Sequence, residues 1–295
     1  MKTPILKPLT LAIMATSLTG CFSSSDGDSG TLSLGITDAP VDSLKEVNIN
    51  FTGISIKPAE GEAVEISLEE AQSLDMLKLQ RGNAASLLDE QSVPAGEYNW
   101  IRLDVDSSDI AKMNVIDDNN GEHRLSVPSG ELKLVSGFTV PQGGAADFTI
   151  DFDMRKAVVN PANGGDYKLR PALRMVDNTE VGAIEGTISG NLISDACGET
   201  SDDYDGSVYV YEGNDAELVD YNPNQSPLMS ASVEFDSDAG EYSYKAAFLS
   251  EGDYTIAYTC VSDDPENVDD SMDFRGDRPV TVEADATQTA IFELQ

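Results

Sequence analysis

The chain has 295 residues, 40% of them hydrophobic, with 53 acidic against 18 basic side chains and a formal net charge of −35. Such a balance excludes a general nucleic-acid binder, which needs a basic footprint, and it argues against docking on anionic headgroups. At roughly 100–200 residues per domain, the length favours two domains.

The chain opens with Lys2 and Lys7, an apolar run from Leu9 to Leu18, and then Leu18-Thr19-Gly20-Cys21. A charged start, about ten apolar residues and small residues before a cut site make a secretory signal. The run is too short for a membrane-spanning helix, which needs about twenty residues. The LTGC string resembles the lipobox of bacterial lipoproteins, in which the cysteine thiol receives a diacylglyceryl group, the chain is cut before it and the new amine is acylated. The resemblance implies a signal peptide over residues 1–20 and a lipidated Cys21 that partners the membrane. One acyl chain binds membranes only marginally, so stable attachment needs more than one. Phe22, not Asp, follows the cysteine, and by the same resemblance that implies the outer membrane of a Gram-negative cell. Residues 21–30 then read as a Ser/Gly/Asp tether, a flexible coil reaching roughly 15 Å.

From residue 31 the periodicity is that of strands. Leu32, Leu34 and Ile36 alternate, as do Val47, Ile49 and Phe51; the parity breaks at Gly53 and resumes with Ile54 and Ile56. A glycine at a parity break predicts a β-bulge. Asp38-Ala39-Pro40 reads as a turn, Asp38 capping it and Pro40 fixing its corner. Val64, Ile66 and Leu68 make another short run. Leu68, Ala71, Leu74 and Leu77 stand at helical spacing and predict a short helix over 68–79, with one more turn over 83–88. Ile101, Leu103 and Val105 face one way, and parity puts Tyr98 and Trp100 on the other. Met113 and Val115 lead into Asp117-Asp118-Asn119-Asn120-Gly121 and return through Leu125 and Val127, a hairpin. Phe148, Ile150, Phe152 and Met154 alternate with polar residues, which predicts a half-buried strand.

The charge divides the chain at about residue 180. Residues 181–295 hold 26 acids and three bases (Lys245, Arg275, Arg278), whereas residues 21–180 hold 27 acids and 13 bases. Strands are expected at 207–212, 230–235, 241–248, 253–260, 278–283 and 288–294. Turns at Asp236-Ser237-Asp238-Ala239-Gly240 and Ser250-Glu251-Gly252 feed two of them.

Three segments, LSLGITDAPVDSLKEVNINFTGISI, LDMLKLQRGNAASLLDEQSVPAGEYNWIRLDV and DYKLRPALRMV, together resemble the bacterial lipoprotein family of domain of unknown function 4382, over about residues 31–177. That resemblance implies an extracytoplasmic β domain and no activity. GAIEGTISG, DSDAGEYSY and LSEGDYTIAY resemble the carboxypeptidase regulatory-like, transthyretin-like sandwich, whose modules are usually non-catalytic. The expectation is therefore an all-β chain of two β-sandwich domains, 31–178 and 181–295, after a lipoprotein signal peptide and a short tether.

With Cys21 lipidated, Cys197 and Cys260 remain as an even pair in an oxidising compartment, and a disulfide is expected. Zinc needs about four ligands, and the chain has one histidine, His123, on the expected hairpin. No GxSxG string surrounds a serine. Calcium is the better metal idea. Asp202, Asp203 and Asp205 precede Gly206, and Asp263, Asp264 and Asp269 follow Cys260, so a disulfide would let the two groups approach. Calcium takes about six to eight oxygens, often from loop carboxylates; the EF-hand string is absent, and solvated acidic loops are the simpler reading. These features point to a non-catalytic binding or structural module of the cell envelope, with an envelope protein or glycan as its ligand. The alternative is an envelope polysaccharide hydrolase working through paired carboxylates.

Overall fold

The computed structural model describes residues 29–39, 44–128, 130–160, 165–198, 205–222, 226–263 and 271–294. The first part contains β1 (Ser29–Ala39), β2 (Leu44–Pro58), β3 (Val64–Asp75), β4 (Ala85–Pro94), β5 (Gly96–Val105), β6 (Asn114–Asp117), β7 (Glu122–Ser126), β8 (Leu132–Leu134), β9 (Phe138–Val140), β10 (Ala145–Asp153), β11 (Val158–Val159), β12 (Tyr167–Leu169) and β13 (Leu173–Asp177). A four-residue helix, α1 (Met154–Ala157), follows β10 directly. The second part contains β14 (Val181–Ile188), helix α2 (Gly190–Cys197), β15 (Ser207–Glu212), β16 (Met229–Ser232), β17 (Glu234–Asp236), β18 (Glu241–Ser250), β19 (Gly252–Thr259), β20 (Arg275–Val282) and β21 (Thr287–Thr289).

Among the described residues these strands form four sheets, two to each part. The first part has a four-stranded sheet in the order β13-β10-β1-β4. Its second sheet has nine strands, ordered β11-β12-β7-β6-β2-β5-β8, with β3 on β2 and β9 on β5. Alternation along β1, β2, β5 and β10 sends Leu34, Ile36, Phe51, Ile54, Leu103 and Ile150 into one core, all at 1% exposure or less. Each such side chain contributes about 1.5–3 kcal/mol by leaving water. The second part is a sandwich of β17-β18-β14-β21 on β16-β15-β19-β20, closed over Ile184, Val210, Ile256 and Phe292. The expected fold class, all-β with paired sheets, holds.

Several local expectations hold as well. The register of β2 slips between Phe51 and Gly53 against both β3 and β5, and a Cβ at Gly53 would lie 2.8 Å from the Ile66 carbonyl oxygen. Here the absent side chain lets the bulged backbone approach its neighbour. The hairpin pairs Val115 with His123; Asn120 adopts φ 62°, and the Asp117 carboxylate accepts from the amides of Asn119 (2.9 Å) and Gly121 (2.7 Å).

Three expectations fail. The helix over 68–79 is the end of β3 followed by a three-residue 3-10 turn, Met76–Lys78. Residues 72–75 pair with Phe51 back to Asn48, so sheet pairing overrides a leucine spacing that fits a helix by coincidence. The segment 83–88 belongs largely to β4, antiparallel to β1. Tyr98 is not on Trp100's face. Trp100 pairs with Lys57 but Tyr98 pairs with Pro58, leaving Asn99 as an extra residue, so parity flips. Tyr98 therefore enters the core at 2% exposure and stacks on Phe138 at 4.8 Å.

Candidate functional site

The two parts differ in charge, and basic side chains of the first reach into the second. They do so at two places along one seam.

The first place is the turn after the 3-10 element, where Arg81 (φ 59°) and Gly82 (φ 85°) both take left-handed conformations. That turn aims the Arg81 guanidinium across the seam. Nη1 donates to the Ser243 carbonyl (2.9 Å), Nη2 to the Ser243 hydroxyl (2.8 Å), and Nε lies 3.7 Å from a Glu234 oxygen. A Cβ on Gly82 would sit 3.3 Å from the Ala247 methyl, so the two backbones meet closely here.

The second place is deeper. Asp153 ends β10, and its carboxylate accepts from the Lys156 amide (3.2 Å), turning the chain into α1. That turn presents Arg155, 3% exposed, to the second part. Its Nη1 donates to the Tyr209 hydroxyl (3.0 Å), and its guanidinium lies 5.7 Å and 5.3 Å from the ring centres of Tyr209 and Tyr221. The Tyr209 hydroxyl in turn donates to Asp263 Oδ2 (2.9 Å), which also accepts from the Tyr221 amide (2.8 Å). Burial raises the Asp263 pKa, while the two hydrogen bonds and the Arg155 charge oppose that rise. Phe274 packs edge-on against Tyr209 at 5.4 Å and helps exclude water. Lys156 continues the pattern, with its ammonium 4.9 Å from the Tyr221 ring and 3.1 Å from Asp153. A buried guanidinium is tolerated because a hydroxyl, two aromatic faces and a carboxylate beyond them replace its hydration.

Between these two places lies a cavity of about 10 Å³ lined by Thr37, Asp38, Gln80, Asp151 and Ser230, among others. That is room for about one water. Asp38 is 4% exposed; Oδ1 accepts from the Met154 amide (3.2 Å), the first of α1, and Oδ2 faces the Gln80 amide nitrogen at 3.5 Å. Asp38 therefore holds the start of α1; Pro40, and with it the expected turn, lies outside the described residues. Burial pushes the Asp38 pKa well above the usual carboxylate range, and the nearby charge of Asp151 adds to the shift. Asp151, 5% exposed, binds Arg174 through Oδ2 (2.6 Å), while its buried Oδ1 has no hydrogen-bond partner among the described residues.

Cys197 and Cys260 form the expected disulfide, Cα to Cα 5.2 Å, joining the end of α2 to the end of β19. Three residues past Cys260 stands Asp263, so the bridge anchors the strand end that carries the Arg155 relay. Of the expected calcium ligands, Asp202, Asp203, Asp264 and Asp269 lie outside the described residues, as does Cys21. The Asp205 carbonyl accepts from the Tyr258 hydroxyl (2.9 Å), and Asp263 serves the relay. Among the described residues no three His, Cys, Asp or Glu side chains are grouped to hold a metal ion. His123 pairs with Asp117 at 2.8 Å and tilts against Tyr167; that bond and the Gly121 amide hold the Asp117 pKa low.

Sequence reasoning missed Arg81, Arg155, Asp38 and Asp151 as a set. The available signal was the charge asymmetry itself: a half with 13 bases beside one with three predicts a seam in which the first half supplies the cations. No helix of the described residues is long and apolar enough to cross a membrane.

No curated protein matches the chain. Solved structures overlay it only loosely. A leucine-rich repeat protein from Bacteroides thetaiotaomicron is 15% identical, with 91% of this chain and 26% of that one covered and a TM-score of 0.24. The TIE protein of Bacillus anthracis gives 11%, 90%, 34% and 0.20 in the same order. The minor pilin GBS52 of Streptococcus agalactiae gives 10%, 89%, 95% and 0.19. The chain thus spans about a quarter and a third of the first two proteins, and scores this low assign no shared arrangement. The sequence comparison is firmer: residues 29–171, the first part nearly entire, match the family described as Domain of unknown function (DUF4382).

Proposed function

We propose that this chain is a lipid-anchored, non-catalytic module of the cell envelope, whose two β domains are docked as one rigid unit and whose second domain is a transthyretin-like sandwich. The observation that carries the reading is the Arg155–Tyr209–Asp263 relay. Charged groups that could do chemistry are committed there to holding two domains together, three residues from a disulfide that suits an oxidising compartment. The LTGC string supports the anchor. The paired-carboxylate alternative gains no support from the buried acids Asp38 and Asp151, which share a space of about 10 Å³, too small for a sugar ring.

Fractionation of cells fed labelled palmitate tests the reading. The native chain is expected in the outer-membrane fraction carrying label, and a Cys21→Ser variant is expected unlabelled and released from the membrane. Unprocessed, unlabelled native chain in the cytosol would overturn the proposal.

A further inference from the structure

The outer face of the nine-stranded sheet carries a feature that the seam does not use. On β5 the outward residues are Trp100, Arg102 and Asp104, and Trp100 is the single tryptophan of the chain. Lys57 of β2 is its direct cross-strand partner, and Lys133 of β8 pairs with Arg102 beside it. Arg102 is neutralised: Nε binds Asp104 at 2.7 Å and Nη1 lies 3.6 Å from Glu131. The two lysines are not. No carboxylate among the described residues lies within ion-pair distance of either; Lys57 donates to the Gly61 carbonyl, and the Lys133 ammonium sits 4.3 Å from the centre of the Trp100 ring. Two residues past Lys133, Val135 is 77% exposed.

In a chain with 53 acids, an indole with one ammonium over its ring and a second lysine on the neighbouring strand, neither ion-paired among the described residues, is a local concentration of positive charge. A ligand suited to it needs an apolar face for the indole and anionic groups at its edges. A pyranose ring bearing a carboxylate has both: its C–H face lies on an aromatic ring, and its carboxylate accepts from an ammonium. Lys133 can act as a displaceable cover, since a cation–π contact at an exposed site is weak and the lysine stem has several rotors. Swinging aside, the ammonium would exchange the ring face for the incoming carboxylate.

We propose that Trp100, Lys57 and Lys133 form a binding face for a carboxylated polysaccharide, a polyuronate chain. This rests on the reading of the protein as an envelope binding module and names its ligand class. The rest of the protein repels a polyanion, but at 0.15 M salt that repulsion is screened beyond about 8 Å. The row then competes only with near neighbours.

The test uses the full lipidated chain in detergent micelles at about 0.15 M salt, with affinity electrophoresis in gels containing alginate, as polyuronate, or dextran, as neutral glucan. Alginate is expected to retard the native chain and dextran to leave it unretarded. Trp100→Ala should weaken alginate retention at least about 10-fold. Lys57→Gln combined with Lys133→Gln should weaken it about 3- to 10-fold, and Trp100→Phe should keep most of it. Unchanged melting of each variant shows that the fold is intact. Absence of alginate retention, equal retention by dextran, or retention indifferent to these substitutions would each overturn the proposal. Failure here is separate from failure of the module reading, because the palmitate fractionation does not depend on any glycan.

Discussion

Two arginines cross the same seam and differ in what surrounds them. The Arg81 side chain keeps 24% of its surface in solvent and meets a serine, with Glu234 at 3.7 Å. Arg155 is 3% exposed and lies between two tyrosine rings, with a buried carboxylate behind one of them. Identical chemistry therefore plays two roles. Arg81 lets go into water at little cost, whereas the partners of Arg155 have no water to fall back on. The seam is held firmly at its α1 end and more loosely at its Arg81 end, and most of the effect of substituting either arginine comes from the groups left behind.

The largest expected effect tests the firm end. Arg155→Ala leaves Asp263 buried and facing a void, and truncating one partner of a buried charged network typically costs about 3–5 kcal/mol. We expect the thermal transition to fall and the first and second parts of the chain to melt apart, read by calorimetry as one peak becoming two. Arg155→Met, which restores apolar volume beside Tyr209 and Tyr221 without a charge, should recover part of the loss. If Arg155→Ala melts as the native chain does, the seam is not held there and the comparison between the two arginines collapses.

The next effect tests the loose end. Arg81→Ala removes two hydrogen bonds to Ser243, each with a net worth of about 1 kcal/mol or somewhat more because the donor is charged. Water reaches the freed serine, so we expect a loss of about 1–2 kcal/mol and a single transition in the same calorimetric scan. Splitting of the peak, or a cost matching that of Arg155→Ala, would mean that the two ends are equivalent.

How much of this was legible in the sequence follows from the range of each interaction. Alternation along Leu32–Ile36 and Val47–Phe51 is local and makes those strands legible, as are the bulge at Gly53 and the hairpin around Asn120; the strand at Phe148–Phe152 is legible as a strand but not as half-buried, because Thr149 (2% exposed) and Asp151 (5%) on its other face are covered too, and Met154 begins α1. The partnership of Cys197 with Cys260 was legible because few combinations exist. The end of β3 was not, because Leu68, Leu74 and Leu77 fit two periods and only pairing with β2 decides between them. Tyr98 was misplaced for a related reason: one extra residue at Asn99 inverts every parity argument before it. The seam was least legible. Arg155 stands in the sequence as one base among 13 in its half, and nothing local distinguishes it from an exposed lysine. Its role exists only once α1 and β15 are brought together.

The smallest expected shift concerns the acid between the two arginines. Asp38 is buried, with Asp151 and Asp153 as acidic neighbours, Gln80 donating weakly and the Met154 amide as its firmest donor. Arg174 answers Asp151 and Lys156 answers Asp153, and no cation among the described residues is paired with Asp38 itself. Its folded pKa is raised above the unfolded one by burial first and by Asp151 second. A carboxyl shifted in that direction binds its proton more tightly in the folded state, so its contribution is complete below the unfolded pKa, near 3.9, and is lost as pH rises through the folded value. Wild-type stability should therefore carry a falling component from acid toward neutral pH that Asp38→Asn lacks, because the amide mimics the protonated acid. The amide nitrogen also offers a donor near the unpartnered oxygen of Asp151. We expect Asp38→Asn to match the native chain at low pH and to melt a few degrees higher at neutral pH, measured by circular dichroism across the series. A variant less stable than wild type at neutral pH would show that Asp38 works as a carboxylate, and the cavity between the arginines would then have to be read as a site of fixed negative charge.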